Sequence, residues 1–183
     1  MGVSTVTMEI ANRAAKAGHE VLISHMRNNN IIKDAVSRMG DHVILASKDR
    51  VLKTKIIILF AALEDIQNLM SELPDMTGKI LIHTNNAILG KEFPGSVSGK
   101  SSGEIIASLL PEASIIRMYS IIGPSICMLK NPDQEGNQIF YSGDAISAKR
   151  KVKSFFETLG LEAIDIEISD NKTVAFEKQY DSV

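Results

Sequence analysis

Short apolar runs rich in isoleucine and valine recur along this chain, and most are followed by a segment whose apolar residues return at helical spacing. The runs predict strands at 20–24 (EVLIS), 43–46 (VILA), 55–61 (KIIILFA), 79–84 (KILIHT), 114–120 (SIIRMYS), 137–142 (NQIFYS) and 163–168 (AIDIEI). Several are apolar throughout rather than alternating, as in parallel strands covered on both faces. Ahead of the first run, Val6, Ile10, Ala14 and Ala17 share one helical face, which Gly18 closes. Ile66, Leu69, Met70 and Leu73 form a second stripe, with Glu64 and Asp65 near its start and Pro74 beyond its end. Ile105, Ile106, Leu109 and Leu110 precede Pro111, and Ala148, Val152, Phe155, Phe156 and Leu159 precede Gly160. Alternating strands and helices predict an α/β sandwich with a mostly parallel sheet and helices on both faces, because right-handed crossovers place them there.

Composition narrows the class. The chain has 183 residues, 44% hydrophobic and 23% charged, which suits a single domain over 1–183 with a core that needs no staples. Cys127 is the one cysteine, so a disulfide framework is excluded. A net charge of −2 gives no general attraction to nucleic acid. No run approaches the ~18 apolar residues of a membrane span, and residues 1–20 lack a basic start followed by an apolar block, so a cytoplasmic location without membrane partners is expected. The stretch 90–103 (GKEFPGSVSGKSSG) reads as a loop, either over a site or as a plain surface connection.

In an open parallel sheet, ligands gather at the carboxyl ends of the strands. Small and polar residues stand there: Ser24-His25-Met26-Arg27, Phe60-Ala61-Ala62, Thr84-Asn85-Asn86 and Tyr119-Ser120-Ile121-Ile122-Gly123. Dinucleotide sites for the unphosphorylated cofactor place an acid after the second strand to hold the ribose hydroxyls. The corresponding segment here has no acid. Ser24 and Arg27 instead suit a 2'-phosphate, which favours NADP over NAD, although Arg27 also reads as a solvated loop residue. Paired cysteines, a helical His-Glu metal motif and a Gly-x-Ser-x-Gly elbow are all missing. His19 and His42 read as turn residues, His83 as a strand-end residue within reach of a ligand or simply satisfied, and Cys127 as a packed thiol. The Lys149-Arg150-Lys151-Lys153 run is the wet face of an amphipathic helix.

Taken in order, AKAGHEVLIS, KIIILFA, KILIHTNN, SSGEIIASLLPEASIIRMYS and IFYSGDAISAKRKVKSFFETLGLEAIDI resemble the NADPH-dependent deazaflavin coenzyme (F-420) reductase family over nearly the whole chain. The resemblance implies a Rossmann-like, doubly wound sheet that binds NADP(H) across its strand ends and passes hydride to a deazaflavin or flavin. It places Ser24, His25 and Arg27 at the 2'-phosphate, Phe60, Ala61 and Ala62 along the adenosine and pyrophosphate, and Thr84 and Asn85 near the nicotinamide ribose. Met118, Tyr119, Ser120 and Ile121 correspond to the segment that lines the hydride-transfer pocket. No catalytic acid or base and no metal is implied, since hydride passes directly between stacked rings. A homodimer through the last helices and strands is compatible with the same resemblance.

Three departures stand against it. The phosphate loop expected as Gly-x-Gly-x-x-Gly aligns with Gly2-Val3-Ser4-Thr5-Val6-Thr7 and keeps only the first glycine, so Ser4 and Thr7 add atoms where space is scarce. The backbone N–H groups of Thr5 and Val6 can still face phosphate. Asn86 follows Thr84-Asn85 where the family usually has proline, and His83 precedes them where an acid is common. A family member also begins with about six apolar residues forming the central first strand, whereas this chain begins at Met1-Gly2. Either the true start lies upstream or the sheet has a gap at its centre. If Val3 to Ile10 were that strand, Ala11 to Ala17 would be too short for the usual helix.

The leading expectation is an NADP-binding oxidoreductase. The rival is a Rossmann remnant acting as a nucleotide-binding or regulatory module, which the damaged loop and missing strand favour. A dehydrogenase with a second, substrate-binding domain is disfavoured, because too little chain follows residue 168.

Overall fold

The computed structural model describes residues 1–61, 63–84, 102–119 and 138–166. Helix α1 (Thr5–Lys16) opens at Ser4, whose side chain accepts from the Thr7 backbone N–H while the Thr7 side chain accepts from the Ser4 N–H, and Arg13 and Lys16 occupy its last turn. Gly18, at φ 86°, turns the chain into β1 (Val21–Ile23). A 3-10 turn (Asn29–Ile32) leads into α2 (Lys33–Ser37), followed by β2 (Val43–Leu45) and α3 (Lys48–Leu52). The chain continues through β3 (Ile56–Leu59), α4 (Leu63–Ser71), β4 (Ile80–His83), α5 (Ser102–Leu109) and β5 (Ser114–Tyr119). It ends, among the described residues, with β6 (Gln138–Ser142), α6 (Ile146–Thr158) and β7 (Glu162–Asp165).

All seven strands and the four amphipathic helices expected from periodicity are present, with most strand ends a residue or more shorter than the apolar runs. α2 and α3, each of five residues, were not expected. Too short to display a helical period, they leave no signature in the pattern of apolar positions.

Two sheets form, ordered β1-β2 and β3-β4-β5-β6-β7. Every pairing is parallel except β5 with β6, so the sheet is mostly parallel as expected, in the Rossmann manner. β4, with strands on both sides and helices above and below, is buried along its whole length, which explains its unbroken apolar sequence. One core layer joins Leu59, Leu81, Ile66 and Ile106 under α3, α4 and α5. On the opposite face Ile10, Ile82, Ile116, Val152 and Phe156 pack under α1 and α6, and Ala11, Ala15, Ile23, Val36 and Val43 close α1 and α2 over the small sheet.

Between the two sheets runs a gap beside β1 and β3. Met1 and Gly2 cross its carboxyl end. The Met1 amine donates to the Ile58 carbonyl at 2.6 Å, the Phe60 N–H donates to the Met1 carbonyl at 2.9 Å, and the Gly2 N–H donates to the Ser24 carbonyl at 3.0 Å. These two residues therefore supply the last rung of the central strand, and Val3 to Ile10 does not form one, because the Ser4 cap starts a helix there.

Candidate cofactor-binding site

The carboxyl ends of β1 and β3 meet the turn that enters α1, and β4 ends beside β3. Gly2 holds φ at +77°, and a Cβ built on it would overlap the Phe60 carbonyl oxygen, so the loop crosses β3 at a distance only glycine permits. The chain then reaches Ser4 and the amino end of a 12-residue helix, where the first-turn N–H groups of Thr5 and Val6 have no partner within the helix. That end carries partial positive charge, with no acidic side chain in its first turn.

The structure answers the question raised by Ser4 and Thr7. Their hydroxyls lie 3.3 Å apart, Thr7 Oγ1 accepts from the Ser4 N–H at 2.8 Å, and Ser4 Oγ accepts from the Thr7 N–H at 3.2 Å. The two side chains are spent on each other, which leaves the neighbouring N–H groups of Thr5 and Val6 for an anion.

Ser24, at the end of β1, is buried, whereas Arg27 is exposed and makes no ion pair among the described residues. The loop between them is tied by its own side chains. His25 Nδ1 accepts from the N–H groups of Arg27 and Asn28, each at 3.2 Å, and Asn29 Oδ1 accepts from the His25 N–H at 2.8 Å. Asn29 Nδ2 donates in turn to the Ala46 carbonyl at 2.7 Å, which fastens the loop to the end of β2. His25 therefore acts as a scaffold that shapes the turn carrying Arg27, a role that Asn28 and Asn29 share and that strand-end reasoning missed.

Phe60 is half-buried and Ala61 buried at the end of β3. Thr84 is buried and its hydroxyl donates to the Leu59 carbonyl at 3.2 Å, so it braces β4 against β3. Beside it His83 is buried, facing Leu59 and Arg117 in the register, and its Nε2 has no partner among the described residues. Burial, and secondarily the Arg117 charge, lowers its pKa to about 4, so the ring is neutral at pH 7.

Met118 is buried in the core layer under α6, with Ile116 and Tyr141, while Tyr119 lies on the opposite face and its hydroxyl is 3.1 Å from Ser142 Oγ. Ala62, Asn85, Ser120, Ile121 and Cys127, together with 90–101 of the expected loop, lie outside the described residues. The described residues thus bring Gly2, Ser4, Thr5, Val6, Ser24, His25, Arg27, Phe60, Ala61 and Thr84 to one end of the sheet, and they send the Met118 side chain into the core. Among them there is no group of three or more histidine, cysteine or acidic residues placed to hold a metal. No described helix is long and apolar enough to cross a membrane.

Comparison with known proteins agrees with this geometry. A crystal structure of a hypothetical protein, SMa0349, from Sinorhizobium meliloti matches with a TM-score of 0.75 at 23% identity, over 90% of this chain and 81% of that one. A putative F420-dependent NADP-reductase from an Arthrobacter species matches with a TM-score of 0.72 at 21% identity, over 97% of this chain and 88% of that one. Among curated sequences, the mouse metalloreductase STEAP2 is 23% identical over 166 residues, which cover 91% of this chain and 32% of the relative. The chain thus spans about a third of the length of the curated relatives it matches. Residues 1–87, which contain the glycine turn, α1 and the ends of β1, β3 and β4, match a family model described as NADP oxidoreductase, coenzyme F420-dependent. Over those residues the chain is similar to the coenzyme F420-dependent NADP oxidoreductase family that its ordered motifs resemble.

Proposed function

We propose that this chain is an NADP(H)-binding oxidoreductase domain that transfers hydride between NADPH and a deazaflavin or flavin acceptor. The observation that carries the reading is the convergence at one end of the sheet of the Gly2 turn, the open amino end of α1 and an exposed Arg27 that forms no ion pair among the described residues. These residues fit a phosphorylated dinucleotide. Gly2 removes the Cβ that would block the turn, Thr5 and Val6 offer N–H groups to a pyrophosphate, and Ser24 and Arg27 offer a hydroxyl and a planar cation to a 2'-phosphate. The family model over residues 1–87 supports the same cofactor.

When bound, the nicotinamide ring supplies the hydride, so the protein is required to position and to exclude water rather than to donate a proton. His25 and Asn29 hold the Arg27 turn in place. Thr84 locks the end of β4, and His83, neutral at pH 7, adds no charge beneath the site. Titration of the folded chain with NADPH and NADH tests the reading, followed by NADPH oxidation with a flavin and with a deazaflavin. Saturable binding that prefers NADPH, with turnover on either acceptor, is expected. A folded chain that binds neither nucleotide would overturn the proposal. The rival, a remnant module without catalysis, is favoured by the capping box that replaces two loop glycines; nucleotide binding without turnover on any acceptor would point to it.

A further inference from the structure

Three polar side chains form a row across β4, β5 and β6. In the register His83 stands opposite Arg117, and Arg117 stands opposite Ser142. Residues paired in this way share a face of the sheet, and sequence neighbours take opposite faces. Ile82, Ile116 and Tyr141 pack into the core layer under α1 and α6, so His83, Arg117 and Ser142 lie on the other face, that of α4 and α5. There the apolar layer runs through Leu81 of β4 and Ile115 of β5, and His83 and Arg117 follow them towards the carboxyl end.

The row is rich in donors and short of acceptors. His83 is 3% exposed, and its Nε2 has no hydrogen-bond partner among the described residues. Arg117 is half-buried and forms no ion pair among the described residues. The two leave each other unsatisfied, since the guanidinium only donates and Nε2 receives none of its N–H groups. Burial, and after it the Arg117 charge, keeps the ring neutral at pH 7, so the pair carries one positive charge. Across from Arg117, the buried Ser142 Oγ lies 3.1 Å from the Tyr119 hydroxyl. Of two hydroxyls that share one hydrogen bond, the accepting one keeps its own O–H to give.

What these groups lack is an acceptor with a single negative charge, because buried donors are ordinarily met and a half-buried cation is ordinarily paired. A carboxylate answers both needs. It has no donor, it carries one charge, and its planar pair of oxygens matches a guanidinium fork. A phosphate dianion would bring a second charge that nothing in the row offsets while His83 is neutral. A water molecule would bring donors to groups that already donate.

We propose that His83, Arg117 and Ser142 form a binding site for a small carboxylate, which accepts from the Arg117 guanidinium and from the His83 Nε2–H, with the free hydroxyl of the Tyr119–Ser142 pair at its flank. The site is distinct from the dinucleotide end. The glycine turn and the phosphate-facing residues stand at β1 and β3, whereas the row runs the other way, from β4 to β6. Carboxylate binding therefore requires no nucleotide and is tested without one.

Acetate titrated into the full chain at pH 7 makes the test, against sodium chloride at equal ionic strength, with the His83 ring nitrogens and the Arg117 Nε–H followed by NMR. Saturable shifts of both signals by millimolar acetate are expected, with the His83 proton on Nε2 in the bound form. Arg117→Gln and His83→Leu should each weaken acetate at least about tenfold while the remaining spectrum stays that of the folded chain. His83→Gln, which can still donate, should hold affinity to within roughly threefold. Chloride shifts equal to those of acetate, shifts that never saturate, or acetate binding that survives in Arg117→Gln would overturn the site. Inorganic phosphate bound more tightly than acetate would overturn the choice of a carboxylate, and a loss in His83→Gln as large as in His83→Leu would overturn the role of the Nε2–H.

Discussion

Gly2 and the Phe60 carbonyl approach so closely that no β-carbon fits between them, and Gly2 also sits at a backbone angle, φ +77°, that side chains disfavour. Gly2→Ala therefore meets two penalties at once, left-handed strain and a collision with backbone that cannot rotate away. Together they are expected to cost about 3 kcal/mol or more. Because the displaced turn also carries the amino end of α1, NADPH affinity should fall at the same site. Urea denaturation and a nucleotide titration measure the two losses. A variant as stable as the parent would show that the turn relaxes without cost.

Ser4 and Thr7 permit a finer test. Glycine is nearly as good an N-cap as serine, whereas alanine costs ~1 kcal/mol. Ser4→Gly should thus hold stability to within a few tenths of a kcal/mol while it clears side-chain atoms from the turn and strengthens NADPH binding. Ser4→Ala should lower stability without that gain. If both variants bind NADPH as the parent does, the Ser4 side chain is no obstacle to the pyrophosphate.

Much of this arrangement is legible in the order of apolar runs, because each buried strand writes its own isoleucine-rich segment and each long helix its stripe. What sequence cannot display is what the two ends of a gap do in space. The two-residue rung of Met1 and Gly2, bonded to Ile58, Phe60 and Ser24, depends on partners at least 22 residues away. The Ser4–Thr7 box was readable as Ser-x-x-Thr ahead of an apolar stripe, but it competes with the glycine-loop reading of the same letters. Met118 illustrates the ambiguity of a strand end, since alternation puts one of Met118 and Tyr119 on each face, and only packing decides that Met118 joins Ile116 in the core.

Arg27 separates binding from folding. It is exposed, forms no ion pair among the described residues, and sits on a turn shaped by His25 and Asn29 rather than by itself. Arg27→Ala should therefore leave Tm unchanged and weaken NADPH about 10- to 100-fold, the value of a charge-assisted hydrogen bond pair, with little effect on NADH. Parallel fluorescence titrations with the two nucleotides read the difference. An equal loss for both would assign Arg27 to the shared part of the dinucleotide.

Two buried groups set the pH dependence of stability. Burial lowers the pKa of the Met1 amine from 8.0 to about 5 and, with help from Arg117, that of His83 from 6.5 to about 4. In each window the unfolded chain binds more protons than the folded one, so stability is highest above pH 8 and falls as pH drops. Between pH 8 and 6.5 the slope belongs to the amine, at up to about 1 kcal/mol per pH unit, and below 6.5 His83 adds its own. The loss is complete near pH 5 for the amine and near pH 4 for the histidine. Acetylation of Met1 should flatten the window above pH 6.5 and leave only the His83 slope below it, and His83→Gln should keep the amine's slope down to about pH 5 and remove the part that His83 adds. Chemical denaturation of the three proteins at half-unit steps from pH 4.5 to 8.5 makes the separation. An acetylated chain that kept the parent's slope above pH 6.5 would show that the amine is not desolvated in the folded state.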